Sequence, residues 1–129
     1  MNAERYLHSL NRARDQAAKL ARLQNILLEE AGRLQEKSPA LAEERRAQAG
    51  SLTGQIARQR AEGVRQAQRA LRLINRLPDE QERQVLRLVH LSRLRIEDAA
   101  QVMGYSPRQC YRIKRRALMH LDCLLFQGE

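Results

Sequence analysis

Apolar residues recur along the first third of the chain at alternating steps of three and four. Ten positions form this series, and Gln24 is the one polar residue among them. The nine apolar residues are Ala3, Tyr6, Leu10, Ala13, Ala17, Leu20, Leu27, Ala31 and Leu34. Such spacing lines up side chains on one face of a helix that packs against another helix. The pattern therefore predicts one long N-terminal helix, and its alanines predict a close approach of the partner.

A proline and a glycine-rich segment interrupt this first region. Ser38-Pro39 ends the helix, because proline lacks an N–H and disfavours the α conformation in its predecessor. Pro39 can also start a new helix with Ser38 as its cap. The sequence after it favours a helix up to the weak segment GSLTG at residues 50–54.

The helical spacing returns from Ile56 to Arg76. Steps of three and four connect Ala57, Arg60, Val64, Ala67, Leu71 and Ile74. Two long helices joined near residue 38 or residue 50 predict an antiparallel hairpin. The same seams could instead pair two chains in a coiled coil, and the pattern leaves both arrangements open.

Leu77-Pro78-Asp79 marks the main boundary, which predicts domains 1–76 and 77–129. Asp79, or the turn at Pro78, caps a helix over residues 79–91 whose acidic first turn suits the helix dipole. Its expected core positions are Val85, Leu88 and Leu91.

Two further helices follow, joined by a short turn. The second helix is predicted over residues 96–103, and Gly104 suits the left-handed residue that ends a helix. Ser106 caps the third helix and Pro107 takes its first position. A helix, a three-residue turn with glycine and another helix are typical of a helix-turn-helix. The predicted fold class is thus all-α, with a long hairpin or coiled coil before a three-helix domain.

The third helix separates into an apolar face and a basic face. At ~100° per residue, four residues share one face and should pack on the other two helices: Cys110, Ile113, Ala117 and Leu121. Arg108, Arg112 and Arg115 lie together on the opposite side, flanked by Gln109 and Arg116.

Composition shows the same basic character, unevenly distributed. The chain has 129 residues, a net charge of +9 and 3% aromatic residues, so a polyanionic partner is expected and a base-stacking surface is not. Residues 1–76 carry 15 basic against 8 acidic residues, and residues 77–129 carry 9 against 7. Between Ser106 and Leu121 there are five basic residues and no acid.

The segment LPDEQERQVLRLVHLSRLRIEDAAQVMGYSPRQCYRIKRRALMHL resembles the region 4 helix-turn-helix of bacterial sigma-70 factors. The pieces that carry the resemblance are LPDEQERQVL, AxxMGYS and RQCYRIKRRAL. It looks closest to small phage regulators of Gram-positive hosts, the late-gene transcription activators of the RinA and ArpU type. Those regulators also have a long helical part before this module, although similarity at the level of residues is confined to roughly 77–121.

This resemblance implies binding of double-stranded DNA and control of transcription, with phage or prophage genes as the expected targets. Region 4 also contacts RNA polymerase in sigma factors, so host RNA polymerase is a candidate partner. Nothing in the chain resembles the sigma region that melts the −10 element, so it is not expected to act alone as a sigma factor. Four positions depart from the family pattern: Arg93 replaces a frequent glycine, Arg95 a serine cap, Ala99 a larger aliphatic residue and Pro107 a basic residue.

The candidate DNA-binding residues all lie on the third helix or at its cap. Arg108, Gln109 and Arg112 are the base-reading candidates, because arginine reads guanine and glutamine reads adenine in the major groove. The later cations should mostly meet phosphates, which position a protein without specifying sequence. The full expected set is Ser106, Arg108, Gln109, Tyr111, Arg112, Lys114, Arg115 and Arg116.

Other functional classes find little support in the sequence. No catalytic constellation or phosphate-binding glycine loop appears, so neither an enzyme nor a cofactor is expected. His120 and Cys123 have the spacing of a metal pair, but two ligands without a second pair make a weak site. The apolar end with Leu121, Leu124, Leu125 and Phe126 suggests helix packing, or a docking patch for a second chain or for polymerase.

We expect a cytoplasmic protein without a membrane segment. No run approaches ~18 apolar residues, and the N-terminus lacks the apolar stretch of a signal peptide. Cys110 and Cys123 would lie ~20 Å apart on one helix, too far for a disulfide between them.

A homo-oligomer is also expected, which would place two recognition helices on DNA half-sites. Two other functions compete with a regulator: a small terminase subunit for DNA packaging, and a polymerase-binding inhibitor that does not bind DNA.

Overall fold

The computed structural model describes residues 2–127, and every regular element in this range is helical, which confirms the all-α class. Seven α-helices follow one another: α1 (Ala3–Ser9), α2 (Arg12–Leu34), α3 (Pro39–Ser51), α4 (Thr53–Ile74), α5 (Glu80–Leu86), α6 (Ile96–Met103) and α7 (Pro107–Gln127). A π-helical turn, Arg87–Leu91, extends α5.

Two compact units divide this chain, and the division differs from the predicted boundary at residue 77. The central unit is Asn11–Arg65, and the terminal unit contains the residues before Asn11 and after Arg65. The terminal unit recruits α1 and the last turns of α4 because their apolar side chains share a core with α7.

Within the central unit, α2 runs antiparallel to α3 and to the first turns of α4. The side-chain amide of Gln24 donates hydrogen bonds to the Ala49 carbonyl at 2.9 Å and to the Thr53 hydroxyl at 3.0 Å. Farther along, a Cβ added to Gly63 would lie 3.6 Å from the backbone nitrogen of Arg14. Residue numbers fall along α2 as they rise along its partners, so these helices pair within one chain.

The two predicted interruptions lie where the sequence places them. Helix α3 begins at Pro39 with Ser38 at the N-cap position, although the Ser38 side chain makes no capping hydrogen bond. Leu52, inside the weak segment GSLTG, separates α3 from α4, and its N–H bonds to the carbonyls of Ala49 and Gly50. Backbone signals from proline and glycine therefore gave reliable helix ends.

The prediction of a single N-terminal helix was wrong. The helix is interrupted at Leu10 and Asn11, between α1 and α2. Asn2 caps α1, since its side-chain oxygen accepts from the N–H of Arg5 at 2.8 Å. Leu7, which lies off the predicted seam, is fully buried in the terminal unit. Packing of Leu7 in the core of the terminal unit therefore interrupts the helix, although the apolar pattern in the sequence is continuous.

The predicted inward face of α4 was also wrong along most of its length. Val64 is 56% exposed and Leu71 is 37% exposed. The buried positions of the helix are Ile56, Ala70 and Ile74. Near the start of α2 it is Gly63, one residue before Val64, that approaches the partner backbone, because a residue without a side chain allows the closest contact.

A hydrophobic core holds the terminal unit together. Its large, fully buried members come from α1, α4, the boundary segment, α5 and α7: Leu7, Ile74, Leu77, Leu86 and Leu121. Asp79 caps α5 as predicted, accepting from the N–H of Gln81 at 2.8 Å. Val85 is buried as expected, whereas Leu88 and Leu91 are only half-buried on the π-helical turn.

The connection before α6 contains Arg93 and Arg95, two positions at which the sequence differs from the pattern of the regulators that it resembles. Arg93 has φ of +60°, a left-handed conformation that costs a residue with a side chain about 1–2 kcal/mol. Arg95 occupies the N-cap of α6 without a side-chain capping bond, and its Nε pairs with Asp98 at 3.3 Å instead. This connection therefore lacks the glycine and the cap that would favour its geometry locally.

Candidate nucleic-acid interface

The turn between α6 and α7 has the backbone geometry that its residues predict. Gly104 ends α6 with φ of +73°, and the next N–H, that of Tyr105, bonds to the Ala100 carbonyl at 2.9 Å. Ser106 Oγ accepts from the N–H of Gln109 at 3.2 Å, while Gln109 Oε1 accepts from the N–H of Ser106 at 3.0 Å. These reciprocal bonds form a capping box, which fixes the direction in which α7 leaves the turn.

The apolar face of α7 is buried as predicted. Cys110, Ala117 and Leu121 are fully buried, and Ile113 is nearly so. Cys110 packs with Ile96 of α6 in a small second cluster, so the same face that anchors α7 also fixes α6 against it. Burial raises the pKa of the Cys110 thiol.

Three arginines project into solvent on the opposite face of α7. Arg108, Arg112 and Arg115 are exposed and form no ion pair within the described residues. Tyr111, beside them, is 55% exposed. The structure therefore brings together the cationic surface that the helical spacing predicts, with its positive charge unneutralised.

The remaining predicted residues have other contacts. The Gln109 side-chain oxygen serves the capping box, so this residue is less available to read a base than the sequence alone suggests. Lys114 is half-buried rather than projecting with the arginines, and its charge acts on His90. Arg116 lies 3.8 Å from Asp79 and 4.0 Å from Glu82.

A polar cleft of about 230 Å³ lies beside these exposed arginines. Its walls contain Gln81, Tyr105, Gln109, Arg112, Ile113 and Arg116. Gln81 Nε2 donates to the Tyr105 hydroxyl at 2.6 Å, which joins the first turn of α5 to the turn before α7. Sequence reasoning missed Gln81, because the two residues are 24 positions apart and no local spacing relates them.

Glu82 is the second residue that sequence reasoning missed. It is 1% exposed, and its oxygens lie 2.6 Å and 3.0 Å from His120 Nδ1. The acidic first turn of α5 suggested only a helix-dipole role, whereas this carboxylate connects α5 to α7. His120 thus has a protein partner, and within residues 2–127 no group of three or more potential ligands is placed to hold a metal ion.

The C-terminal apolar residues mostly pack on the terminal unit. Leu121 is fully buried, and Leu124 and Leu125 pack against the same core while half-buried. Phe126 is 86% exposed. Cys123 is an exposed free thiol. No helix within the described range is long and apolar enough to cross a membrane.

Comparison with known families places this region in a group of related proteins. A profile of the family described as protein of unknown function (DUF1492) matches residues 50–122, more than half of the 129 residues. The chain belongs to the DUF1492 family. Comparisons with curated proteins and with solved structures gave no significant match.

The matched segment of this DUF1492 protein contains the whole candidate interface. It includes the eight predicted DNA-binding residues as well as Gln81 and Glu82. Helices α1 and α2 and most of α3 lie outside it. The family description names no function, so the chemistry of the site has to carry the functional argument.

The π-helical turn of the DUF1492 protein contains a buried histidine. His90 is 5% exposed and its Nε2 has no hydrogen-bond partner. The His8 ring contacts it edge-on, with centroids 5.9 Å apart. Burial, with further contributions from the charges of Lys114 and His8, lowers the pKa of His90 from 6.5 to about 4.

We expect the free energy of unfolding to fall as the pH drops from 6.5 towards 4. In this pH window His90 is protonated in the unfolded chain but stays neutral in the folded chain. Lowering the pH therefore stabilises the unfolded chain relative to the folded one, by about 2–3 kcal/mol in total. Urea unfolding across this window measures the effect. The variant His90→Leu should lose that part of the pH dependence while keeping the part due to carboxylates, and an identical pH profile for both proteins would disprove the assignment.

Proposed function

We propose that this DUF1492 protein binds double-stranded DNA through α7 and regulates transcription. In this assignment α6, the turn at Gly104 and α7 form a helix-turn-helix, and α2 with α3 and α4 forms a helical hairpin. The observation that carries the proposal is the arginine face of α7, defined as Arg108, Arg112 and Arg115. These side chains are exposed and unpaired in the described chain, on a helix whose opposite face is buried.

The geometry of α7 suits the major groove of B-form DNA. That groove is ~12 Å wide and admits one α-helix. The capping box fixes the start of the helix, and Arg108 and Arg112 lie in its first two turns. Because the first residues of a recognition helix contact base edges, these two arginines are the proposed readers of guanine.

The other cationic and polar residues are assigned to the phosphate backbone. Arg115 lies about two turns beyond Arg108 on the same face and is available to a phosphate. Arg116 has carboxylates nearby, so we expect a smaller contribution from it. Tyr111 flanks the arginine face, where its hydroxyl group can bond to a phosphate oxygen. Ser106 lies at the start of α7, and because its hydroxyl serves the capping box, we expect a smaller contribution from it. Lys114 contributes least, because it is half-buried.

The regulatory part of the proposal rests on the resemblance to sigma region 4 and to phage late-gene activators. In sigma factors region 4 contacts RNA polymerase, and the resemblance to phage activators implies binding of double-stranded DNA to control transcription. We propose the same task for this chain, on phage or prophage promoters and with host RNA polymerase as the partner. The cytoplasm, where such DNA is transcribed, is the proposed location.

Salt dependence tests the DNA-binding proposal. We expect the affinity for a random-sequence duplex to fall steeply with salt, with a slope of log K against log salt of about −3 to −5 for three to five phosphate contacts. Replacing Arg108, Arg112 and Arg115 by alanine should reduce the magnitude of the slope by about two to three. Each arginine that contacts a phosphate displaces about one counterion from the DNA, so the triple variant displaces about three fewer. Fluorescence anisotropy over a salt series measures both slopes.

A matched variant controls for total charge. Arg5, Arg72 and Arg76 are exposed arginines of the terminal unit outside α7, and their replacement by alanine should leave the slope nearly unchanged. A flat salt dependence in the unmodified protein, or equal changes in the two triple variants, would contradict the proposal.

A further inference from the structure

The central unit has small residues inside and large aliphatic residues outside. Its buried side chains are Ala13, Ala17, Ala31, Ala42, Ala49 and Ile56, five of them alanine. Among the described residues, both hydrophobic clusters of the structure draw all their members from the terminal unit. By contrast, Leu23 and Leu41 are 45% and 41% exposed. Burying a leucine contributes roughly 1.5–3 kcal/mol, so these helices leave much of their available stabilisation unused.

Five leucines of the central unit, two of them exposed and three half-buried, lie on one face of the paired helices. An ion pair between Glu30 and Arg45, 3.2 Å long, joins α2 to α3 on that face. At ~100° per residue, Leu23, Leu27 and Leu34 lie within ~60° of Glu30 around α2. Leu41 and Leu52 lie within ~40° of Arg45 around α3. We call these five leucines the leucine face.

The opposite face of the same helices has a different character. The hydrogen bond between Arg46 and Gln35 joins α2 and α3 there. Leu28 lies on that side, ~160° around α2 from Glu30. Val64 also lies there, ~100° around α4 from Gly63, which faces α2. They are 48% and 56% exposed, but no row of leucines accompanies them.

Charge is distributed unequally along the length of the central unit. The end around the turn, residues 29–46, carries five acidic and four basic residues. The open end, residues 11–28 and 47–65, carries seven basic and two acidic residues. Two copies packed side by side in opposite directions therefore place the slightly acidic end of each against the basic end of the other. A parallel arrangement would bring the two basic ends together.

We infer that the leucine face binds the leucine face of a second copy of this chain, antiparallel, forming a four-helix bundle. Leu23, Leu27 and Leu34 follow one another at steps of four and seven, which is the spacing of a helix seam, and a two-fold axis makes such a face complementary to itself. The Glu30–Arg45 pair balances its own charge within the interface. The inference concerns the protein alone and does not depend on DNA binding.

Sedimentation equilibrium of the full chain tests this inference. We expect a particle of twice the mass of one chain, and a dissociation constant raised at least about 100-fold by Leu23→Glu combined with Leu41→Glu. Both side chains are already exposed in the single chain, so the substitutions should not unfold it, which circular dichroism verifies. The control, Leu28→Glu combined with Val64→Glu, adds the same charge to the opposite face and should leave the dimer intact.

Two results would overturn the inference. One is a wild-type chain that is monomeric at every concentration measured, which would leave the leucine face for some other protein. The other is equal weakening by the two double variants, which would place the contact elsewhere. Either result leaves the DNA-binding proposal untouched, because the salt series measures that separately.

The lysines report the direction of packing. The chain has three of them. Lys19 lies two turns into α2 and Lys37 lies three residues beyond its end, so that about 18 residues, or roughly 27 Å along a helix axis, separate them. In a mixture of unlabelled and nitrogen-15-labelled chains, a short amine cross-linker should yield mixed-isotope links between Lys19 and Lys37. Mixed links of Lys19 to Lys19 would show parallel packing and contradict the antiparallel arrangement.

Discussion

Replacing Arg108 or Arg112 by alanine should weaken binding to a specific duplex by about 1–3 kcal/mol each, roughly 5- to 150-fold. Both side chains project from the first two turns of α7 and have no partner in the described chain. Each guanidinium group is therefore free to make a bidentate contact with guanine. The same substitutions should cost less on random duplex, which offers phosphates but no matching base. The site is first obtained by selection from random duplexes with the wild-type chain, and both affinities are then measured at one salt concentration.

Arg115→Ala is the matched control for this pair. It removes the same charge from the same face one turn after Arg112, so it should weaken binding to specific and random duplex by similar factors. If Arg108→Ala and Arg112→Ala behave like Arg115→Ala, with equal losses on both duplexes, these arginines only neutralise phosphate. The assignment of base readers would then be wrong even though the protein binds DNA.

The second large effect concerns folding: Leu7→Ala should lower the free energy of unfolding by about 2–5 kcal/mol. Leu7 is fully buried and packs in the same core as Ile74 and Leu121. The substitution removes apolar contacts and leaves a cavity behind α7. Urea unfolding of the full chain measures the change.

An exposed aliphatic residue of the same unit provides the comparison for Leu7. Val102 on α6 is 61% exposed, so Val102→Ala should change stability by no more than about 0.5 kcal/mol. Comparable effects of the two substitutions would show that α1 does not belong to the core of the terminal unit. The result matters for function, because the structure makes α1 part of the support for α7.

Local signals were sufficient for the supersecondary structure around the candidate interface. The predicted limits of α6, residues 96–103, coincide with the observed helix, and Gly104, Ser106 and Pro107 have the conformations that their residue types favour. These features depend on interactions over a few residues, which the sequence shows directly. The burial of Cys110, Ile113, Ala117 and Leu121 followed from helical periodicity for the same reason.

Long-range packing explains what the sequence pattern missed. The apolar pattern continues through Leu10, but the helix does not. The helix is interrupted there because Leu7 and Leu10 enter a core shared with Leu121, more than 100 positions away. In α4, Gly63 rather than Val64 approaches the partner helix, and an apolar pattern cannot reveal that choice. The burial of Glu82 against His120 joins residues 38 positions apart.

The candidate site itself was predicted in position but not in detail. The arginine face projects as the spacing indicates, but Gln109 caps its own helix, Lys114 is half-buried and Arg116 lies beside two carboxylates. Each of these contacts involves either a competing local bond or a charged group from a distant part of the chain. The number of cations available to DNA is therefore smaller than the charge of the helix suggests.

The most direct test of DNA binding by α7 is a residue-resolved map of the contact. The full chain, labelled with nitrogen-15, is titrated with its selected duplex while amide chemical shifts are recorded. We predict the largest shifts from Ser106 to Arg116, with smaller ones around Gln81 in the adjoining cleft. Shifts confined to α2 and α3, or no shifts with any duplex, would contradict the claim that α7 binds DNA.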